Sequence, residues 1–255
     1  MFVVSVARLR DRIATAFLPR MKIVVLTGAG ISAESGVPTF RGIDGLWEGH
    51  RVEEVASPNG FARDPQLVHK FYNGRRRKVQ EVEPNPAHRA LAKLARARGV
   101  ELTLVTQNID DLHERAGSEE VLHMHGELLK ARCNECGAVV PCREDLSRAS
   151  ICPVCKGIDC MRPHVVWFGE IPFGLAEIAA AISSADQFVA IGTSGWVYPA
   201  ASFVSWARQS GVPTLELNLE ESAATGVFQE SRRGRAGDLV PVWVEEVISN
   251  AKDQG

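Results

Sequence analysis

Six cysteines lie close together in the middle of the chain, and four of them form two closely spaced pairs. Cys133-x-x-Cys136 is followed after fifteen residues by Cys152-x-x-Cys155. Two such pairs at this spacing are typical of a zinc ribbon, in which four thiolates hold one Zn²⁺ tetrahedrally. A ribbon is too small to have its own core, so the metal stabilises its fold. Because four thiolates leave no open position for water, we predict one structural Zn²⁺ without a catalytic role.

A glycine turn near the N-terminus could bind a nucleotide. Residues 23–26 predict a buried strand, Gly28-Ala29-Gly30 follows, and residues 31–35 can begin a helix. This order brings free backbone N–H groups and a positive helix end together, which suits a pyrophosphate. Gly36-Val37-Pro38 ends the helix after about one turn, however, so a dinucleotide would need ribose partners from elsewhere in the chain. Because glycine turns are common, an ordinary turn remains the alternative.

Polar residues follow the predicted strands at their carboxyl ends, where open α/β sheets bind ligands. Gln107-Asn108-Ile109-Asp110 follows the strand at 102–106, and His123 and His125 follow later in the chain. The strands at 188–191 and 214–217 end in Gly192-Thr193-Ser194 and Asn218-Leu219-Glu220. These groups predict a polar pocket that could supply the ribose partners. The alternative is a set of turn and capping residues.

The elements that must position these residues alternate between strands and helices, which predicts an α/β fold. A further strand is predicted at 165–168, and a short strand and a terminal helix are predicted after the loop at 234–239. Asp64-Pro65 and Asn85-Pro86 are helix starts, because Asp and Asn cap helices and Pro fits the first helical position. Further helices are predicted at 6–18, 174–184 and 199–211.

The composition sets limits on the class of protein. The chain has 255 residues, of which 45% are hydrophobic and 24% charged, enough for one large domain or a large and a small one. The net charge of −2 gives no reason to expect nucleic acid or an anionic membrane as a partner. Arg8, Arg10, Asp11 and Arg12 interrupt the apolar core that a signal peptide needs. We expect a cytoplasmic protein that does not cross a membrane, in which clustered cysteines indicate metal rather than disulfides.

The glycine turn, the Gln-Asn-Ile-Asp segment, the His-Gly pair and the paired cysteines, in this order, resemble the sirtuin family of NAD-dependent protein lysine deacylases. The resemblance covers residues 22–239. It implies a Rossmann-type domain with a doubly wound parallel sheet, which we expect at 1–41, 86–126 and 165–255. It also implies a smaller domain, made of a helical insertion at 42–85 and a zinc ribbon at 127–164, with substrates bound between the two.

The resemblance further implies which residues bind NAD⁺. In and after the glycine turn these are Gly28, Ala29, Gly30, Phe40, Arg41 and Trp47. The ribose and nicotinamide pocket would be formed by Gln107, Asn108, Ile109 and Asp110. The adenosine half would be bound by Gly192, Thr193, Ser194, Asn218, Leu219, Glu220 and Ala236.

The implied reaction assigns three catalytic residues. Asn108 and Asp110 would hold the nicotinamide carboxamide, and His125, which directly precedes a glycine, would remove a proton from the ribose hydroxyls. The products are nicotinamide, free lysine and 2′-O-acyl-ADP-ribose. The acyl-lysine protein would pair as a strand between the segments Val166–Glu170 and Gly195–Tyr198, with Val166, Phe168 and Gly169 as substrate-binding residues.

Tyr72 and Arg75 resemble the pair found in the sirtuin branch that removes succinyl, malonyl and glutaryl groups. A guanidinium and a phenol suit a carboxylate, whereas an acetyl methyl would leave them unpaired, so acetyl would be removed more slowly. The small Ala33 fits a wide pocket. The alternative is that Arg75 belongs to a solvated charged face, because it heads the run Arg75-Arg76-Arg77-Lys78.

Two rival functions remain open on the sequence. ADP-ribosyl transfer to protein would use the same NAD⁺ site. A zinc-ribbon module that binds nucleic acid would need a basic, aromatic-rich ribbon, and the ribbon here carries Glu135, Glu144, Asp145 and Asp159. Cys142 and Cys160, which lie outside the paired spacing, are interpreted as buried residues, with a role as alternative ligands left open.

Overall fold

The computed structural model of the chain describes residues 20–39, 46–47 and 49–253. The strands are β1 (Met21–Thr27), β2 (Leu46–Trp47), β3 (His50–Arg51), β4 (Val100–Thr106), β5 (Val121–His123), β6 (Gly126–Cys133), β7 (Val139–Pro141), β8 (Met161–Val165), β9 (Gln187–Ile191), β10 (Thr214–Asn218) and β11 (Glu230–Arg233). The α-helices are α1 (Ala29–Ser32), α2 (Val52–Val55), α3 (Pro58–Arg63), α4 (Pro65–Glu81), α5 (Pro86–Ala95), α6 (Leu112–Arg115), α7 (Leu175–Ser183), α8 (Phe203–Gln209) and α9 (Ala236–Asp253). The alternation of strands and helices confirms the predicted α/β class.

The largest element of the described chain is a parallel sheet of six strands in the order β11-β10-β9-β1-β4-β5. From β1 the chain builds outwards through β4 and β5, and it then returns to the other side of β1 to add β9, β10 and β11. The strand order therefore reverses between β1 and β9. In open α/β sheets, ligands bind at the carboxyl ends of the strands beside such a reversal.

Both faces of this sheet are covered by helices. Ile23 and Val25 of β1 belong to one buried cluster with Leu91 of α5 and Trp243 of α9. The intervening residues of β1, Val24 and Leu26, belong to a second cluster with residues of α7 and α8. Side chains alternate between the faces of a strand, so a strand covered on both faces is apolar throughout. This explains why residues 23–26 form an unbroken apolar run.

A smaller antiparallel sheet, in the order β7-β6-β8, contains the cysteine-rich segment. Tyr72 and Val79 of α4 share a buried cluster with Leu128 of β6 and with Trp167, which follows β8. Helices α2 to α4 therefore pack beside the small sheet.

The helix starts at Asp64-Pro65 and Asn85-Pro86 are confirmed. The carboxylate of Asp64 accepts a hydrogen bond from the backbone N–H of Leu67 at 2.9 Å, and the side chain of Asn85 accepts one from Ala87 at 3.0 Å. The amide group of Asn85 also donates to the carbonyl oxygen of Ile31 at 2.7 Å. The cap of α5 thus joins this helix to the glycine turn after β1.

Two predicted elements are wrong. The strand expected at 165–168 is β8, which ends at Val165 because its partner β6 begins at Gly126, the residue paired with Val165. The short strand expected after residue 239 is β11, at 230–233, and α9 begins directly at Ala236. Residues 230–233 are charged or polar and form an edge strand, so they carry no apolar signal. The helix predicted at 6–18 lies outside the described residues. Among those described, no helix is both long and apolar enough to span a bilayer.

Candidate active site

The glycine turn after β1 lies against the turn after β9. The backbone N–H of Gly28 donates to the carbonyl oxygen of Ile191 at 3.0 Å, and the N–H of Gly30 donates to that of Gly192 at 2.9 Å. A Cβ atom on Gly30 would lie 2.6 Å from the Cα of Gly192, so no side chain fits at this contact. The prediction of free N–H groups is therefore wrong for Gly28 and Gly30, because both amides join the two strand ends.

The residues predicted for the adenosine half of NAD⁺ lie at neighbouring strand ends. The side chain of Asn218 donates to the carbonyl oxygen of Thr193 at 2.8 Å, which joins the turns after β10 and β9. The start of α9 approaches the glycine turn, because the backbone N–H of Gly237 donates to the carboxylate of Glu34 at 2.9 Å. Ala236, the residue before Gly237, therefore lies near Glu34 in the fold, although 203 residues separate Glu34 from Gly237 in the sequence. Leu219 and Glu220 are exposed at the rim.

Asn108 and Asp110 converge on Ser32, a residue of the glycine turn that the sequence did not single out. The amide of Asn108 donates to the carbonyl oxygen of Gly28 and to the Ser32 hydroxyl, both at 3.1 Å. The Ser32 hydroxyl donates to the Asp110 carboxylate at 3.1 Å. Burial raises the pKa of Asp110 to about 6, although hydrogen bonds from Leu112 and Ser32 act against this shift. The site therefore contains a carboxyl group that gains its proton near neutral pH.

Two buried histidines lie behind this group. His88 Nδ1 accepts a hydrogen bond from the backbone N–H of Asn85 at 3.3 Å, so its proton is on Nε2, which lies 3.4 Å from the Ser32 hydroxyl. His113 Nε2 lies 3.0 Å from the hydroxyl of Thr27. Burial lowers the pKa of His88 to about 4 and that of His113 well below its usual value, so both are neutral at pH 7. No short motif marked either residue, because the fold alone brings His88 to Ser32 and His113 to Thr27 and His88.

His123 and His125 contact two consecutive carbonyl groups of the Gln-Asn-Ile-Asp segment. His125 Nδ1 lies 3.0 Å from the carbonyl oxygen of Gln107, and His123 Nδ1 lies 3.2 Å from that of Asn108. Burial lowers the pKa of His125. Burial acts in the same direction on His123, but its 2.6 Å hydrogen bond with Glu114 and the charge of that residue raise its pKa. The pKa values of the two rings are therefore shifted in opposite directions, and His125 is the ring better suited to accept a proton.

Arg75 lines a small open cavity of about 80 Å³ beside this site. The other lining residues come from the loop after α1, from α4, from the segment after β4 and from β6: Val37, Pro38, Gly74, Lys78, Val79, Ile109, Asp110 and Leu128. Arg75 and Lys78 bring two cationic side chains to the cavity, and Lys78 was not predicted.

The charged run at 75–78 is not one solvated face. Arg76 is fully buried, Arg77 is exposed and bonded to Asp145, and Arg75 is half-buried at the cavity. Tyr72 is also fully buried, and its hydroxyl accepts a hydrogen bond from the indole N–H of Trp167 at 3.0 Å. Of the predicted pair, Arg75 therefore lines the cavity and Tyr72 lies beneath it.

The segment predicted to bind the substrate backbone lies beside His125. The backbone N–H of Val166 donates to the carbonyl oxygen of His125 at 2.8 Å, and that of Phe168 donates to Ala56 at 2.9 Å. Glu170 fixes the position of this segment. Its carboxylate accepts hydrogen bonds from the backbone N–H of Trp167 at 2.8 Å and from the guanidinium of buried Arg162 at 2.7 Å. Phe168 is half exposed and Gly169 has a positive φ of 92°.

The four predicted zinc ligands converge. The Sγ atoms of Cys133, Cys136, Cys152 and Cys155 all lie within 4.8 Å of one another. Two of the separations, Cys133 to Cys155 and Cys136 to Cys152, are 3.7 Å. Thiolates at the corners of a tetrahedron with Zn–S distances of about 2.3 Å lie about 3.8 Å apart, so this donor set fits Zn²⁺.

The two surplus cysteines differ in their surroundings. The Sγ atom of Cys160 lies 3.5 Å from that of Cys133, and a second possible ligand group consists of Cys133, Glu135, Cys155 and Cys160. Cys142 is buried outside both groups. Three residues predicted for NAD⁺ cannot be compared in this way, because Phe40 and Arg41, together with the side chain of Trp47, lie outside the described residues.

The fold and the site define a dinucleotide-binding α/β protein with a cysteine-rich metal lobe. The glycine contacts keep side chains away from the strand ends, and buried amide, hydroxyl and carboxyl groups surround them, which fits NAD⁺. Comparison with known proteins gives the family: residues 28–199 match the model of the Sir2 family. The chain belongs to the Sir2 family.

Individual relatives agree with this assignment. The chain is 54% identical over 245 residues to a protein of Escherichia coli (strain K12) named NAD-dependent protein deacylase, covering 95% of this chain and 88% of the relative. A Sir2 homologue solved in complex with NAD is 42% identical, with a TM-score of 0.81 and coverage of 90% of each chain. A mutant Sir2 homologue solved with 2′-O-acetyl ADP ribose is 41% identical, with a TM-score of 0.81 and coverage of 90% of this chain and 92% of that one.

Proposed function

We propose that this protein is an NAD-dependent protein lysine deacylase that removes acidic acyl groups, succinyl, malonyl and glutaryl, faster than acetyl. The products would be nicotinamide, free lysine and 2′-O-acyl-ADP-ribose. The observation that carries the proposal is the neutral, half-buried His125 beside the Gln107–Asp110 segment, part of which lines the cavity that contains Arg75 and Lys78. The relatives named as deacylases support the reaction class. We also expect the protein to act in the cytoplasm, where reduced thiolates can hold a metal.

The strand ends beside the reversal of the sheet would bind NAD⁺. The first group is Gly28, Ala29, Gly30, Gln107, Asn108, Ile109 and Asp110, and the second is Gly192, Thr193, Ser194, Asn218, Leu219, Glu220 and Ala236. Phe40, Arg41 and Trp47 would complete the nicotinamide end. The bound NAD⁺ supplies an activated glycosidic bond that links nicotinamide to ribose. Asn108 is held at its side chain by Gly28 and at its carbonyl by His123, so its position is fixed before the ligand binds.

His125 would act as the general base toward a ribose hydroxyl. Its Nδ1–H donates a hydrogen bond to the carbonyl oxygen of Gln107, so Nε2 is the nitrogen that can accept a proton. The Val166–Gly169 segment lies next to His125, because the backbone N–H of Val166 donates to the carbonyl oxygen of His125. A substrate backbone paired along this segment would therefore bring the acyl-lysine close to His125. Proximity matters because an amide oxygen is a weak nucleophile.

Arg75 would bind the carboxylate of an acidic acyl group. A half-buried guanidinium pairs strongly with a carboxylate, and Lys78 adds a second positive charge to the same cavity. Tyr72 would form the floor behind Arg75, with its phenol oxygen fixed by Trp167. A neutral acetyl group gains nothing from these charges, so we expect a preference rather than an absolute requirement.

The test is a panel of acetyl, succinyl, malonyl and glutaryl peptides, assayed with and without NAD⁺. We expect NAD⁺-dependent release of lysine with acidic acyl groups preferred, and Arg75→Met should lower kcat/KM for succinyl peptide by about a hundredfold. The same variant should change deacetylation by less than about threefold. Equal losses on both substrates would return Arg75 to a structural role. Mass spectrometry of the products distinguishes O-acyl-ADP-ribose from an ADP-ribose adduct on protein, which would support the transferase alternative.

A further inference from the structure

Helix α4 presents two opposite faces, one to the cavity and one to the metal lobe. Arg75, Lys78 and Val79 line the cavity. A second set of α4 residues bonds to β6 and to residues 143–146, and its spacing places it on one face of the helix: Asn73, Arg76, Arg77 and Gln80. At 100° per residue, Arg75 projects from the side away from that face.

Residues 143–146, here called the clasp, lie along the second face of α4. The side-chain amide of Asn73 donates to the backbone carbonyl oxygen of Leu146 at 2.8 Å, and the backbone N–H of Leu146 donates to the side-chain oxygen Oδ1 of Asn73 at 2.9 Å. This reciprocal pair of hydrogen bonds resembles the pairing between two strands, and it fixes the orientation of α4 relative to the clasp. Both residues are buried, so loss of the Asn73 side chain would leave two buried backbone groups without these bonds.

Arg76 strengthens the same contact. It is fully buried, donates to Asn73 Oδ1 at 2.7 Å through Nη1, and donates to the carbonyl oxygen of Leu128 at 3.2 Å through Nε. Leu128 itself lines the cavity. At the exposed edge of the clasp, Arg77 pairs with Asp145 at 2.6 Å and Gln80 donates to the carbonyl oxygen of Arg143 at 3.1 Å.

Leu146 connects the clasp to the metal centre. Its side chain belongs to a buried cluster that also contains Cys133, Cys142 and Cys152. The clasp lies between the two cysteine pairs in the sequence, and both of its ends are therefore restrained when the four thiolates hold a metal. Leu146 thus shares a buried cluster with two of the zinc ligands and bonds to Asn73 through its backbone.

We infer that Asn73 and Arg76 are positioning residues for acyl selectivity, which hold Arg75 at the cavity by fixing α4 to the clasp and, through Leu146, to the structural metal centre. The inference rests on the proposed preference for acidic acyl groups and adds its structural cause. It explains why three consecutive arginines have separate roles: Arg75 lines the cavity, Arg76 is buried and bonds to Asn73 and Leu128, and Arg77 pairs with Asp145 at the exposed edge of the clasp.

The experiment compares Asn73→Ala with Lys70→Ala, a control at an exposed position of the same helix. For Asn73→Ala we expect KM for succinyl peptide to rise about tenfold, with KM for NAD⁺ and kcat/KM for acetyl peptide within about twofold of the wild type. Zinc content should stay at one per chain, while hydrogen exchange in residues 65–81 becomes faster. Lys70→Ala should change none of these. Asn73→Asp keeps an acceptor for Leu146 and Arg76 and should restore part of the loss.

A double variant shows whether Asn73 acts through Arg75. In an Arg75→Met background, adding Asn73→Ala should lower succinyl turnover by less than about twofold more, because the side chain that it positions is already gone. Equal losses on succinyl and acetyl peptides, or full additivity in the double variant, would overturn the inference while leaving the acidic-acyl preference intact. If Arg75→Met alone leaves the ratio of the two activities unchanged, Arg75 has no role in acyl selectivity and this inference fails, whereas the absence of an acidic-acyl preference in the wild-type peptide panel would reject the proposed function itself.

Discussion

The Nδ1 atom of His125 lies 3.0 Å from the backbone carbonyl oxygen of Gln107. A carbonyl oxygen only accepts hydrogen bonds, so Nδ1 carries the proton and Nε2 keeps its lone pair. His123 makes the same contact with Asn108, but its Nε2 is bonded to Glu114 at 2.6 Å. One histidine therefore has a basic nitrogen available for chemistry, whereas the other uses both nitrogens to hold the binding segment.

The first prediction concerns this difference. His125→Ala should lower kcat for NAD⁺-dependent deacylation by at least about a hundredfold, because it removes the general base. The fold should persist, since the His125 side chain is only half-buried. The measurement is steady-state turnover with succinyl peptide, together with a thermal unfolding curve.

His123→Ala is the matched control for that variant. It removes the contact with Asn108 but not the base, so we expect less than about a tenfold loss of kcat. If His123→Ala were inactive and His125→Ala retained near wild-type turnover, the roles of the two histidines would have to be exchanged.

The second prediction is the pH dependence of the reaction. A general base must be neutral, and burial lowers the pKa of His125 from its usual value of 6.5. The acid limb of kcat/KM, which reports groups of the free enzyme, should therefore have its midpoint below pH 6.5. A midpoint above that value would instead indicate a role for His123, whose pKa is raised by Glu114.

The sequence predicted the parts of the site that depend on local chemistry. The glycine turn, the capped starts of α4 and α5 and the two cysteine pairs are short patterns whose geometry follows from a few neighbouring residues. For this reason the sequence alone predicted the convergence of the four zinc ligands, Cys133, Cys136, Cys152 and Cys155. The position of Gln107–Asp110 at a strand end followed from the apolar run before it.

The parts that were missed depend on contacts between distant segments. Ser32 and His88 meet because α5 packs against the glycine turn, His113 of α6 contacts the ring of His88, and none of the three belongs to a recognisable motif. Arg76 looked like part of a solvated run, but it is fully buried and bonds to Asn73 and Leu128. The amides of Gly28 and Gly30 were expected to be free, and they bond to the turn after β9 because the sheet places β9 next to β1.

The third prediction concerns the metal. Cys152→Ser should abolish binding of the single Zn²⁺ and lower the thermal unfolding temperature by more than about 10 °C, because metal binding stabilises the ribbon. Zinc content by elemental analysis and unfolding by circular dichroism are the measurements. Cys142→Ala, which changes a buried cysteine outside both possible ligand groups, should keep one zinc per chain. A stable, active and zinc-free Cys152→Ser protein would contradict the structural role.

The fourth prediction is that Asp110 destabilises the fold at neutral pH. Its pKa in the folded protein is raised by burial to about 6, compared with 3.8 for an ordinary Asp. Burial favours the protonated carboxyl group over the charged carboxylate. The free energy of unfolding is therefore highest at low pH and falls as the pH rises from 3.8 through about 6. Asp110→Asn cannot ionise and should avoid this loss, which is on the order of 1 to 3 kcal/mol.

The variant should therefore unfold at a higher temperature than the wild type at about pH 7.5, and the difference should shrink towards pH 5. Its deacylase activity should fall, because the carboxylate is part of the nicotinamide pocket. Glu119→Gln, which changes an exposed carboxylate, should alter stability by less than about 0.5 kcal/mol at either pH. A gap in unfolding temperature that stays constant between pH 5 and pH 7.5 would mean that Asp110 titrates as an ordinary carboxyl group, and burial would then not set its charge.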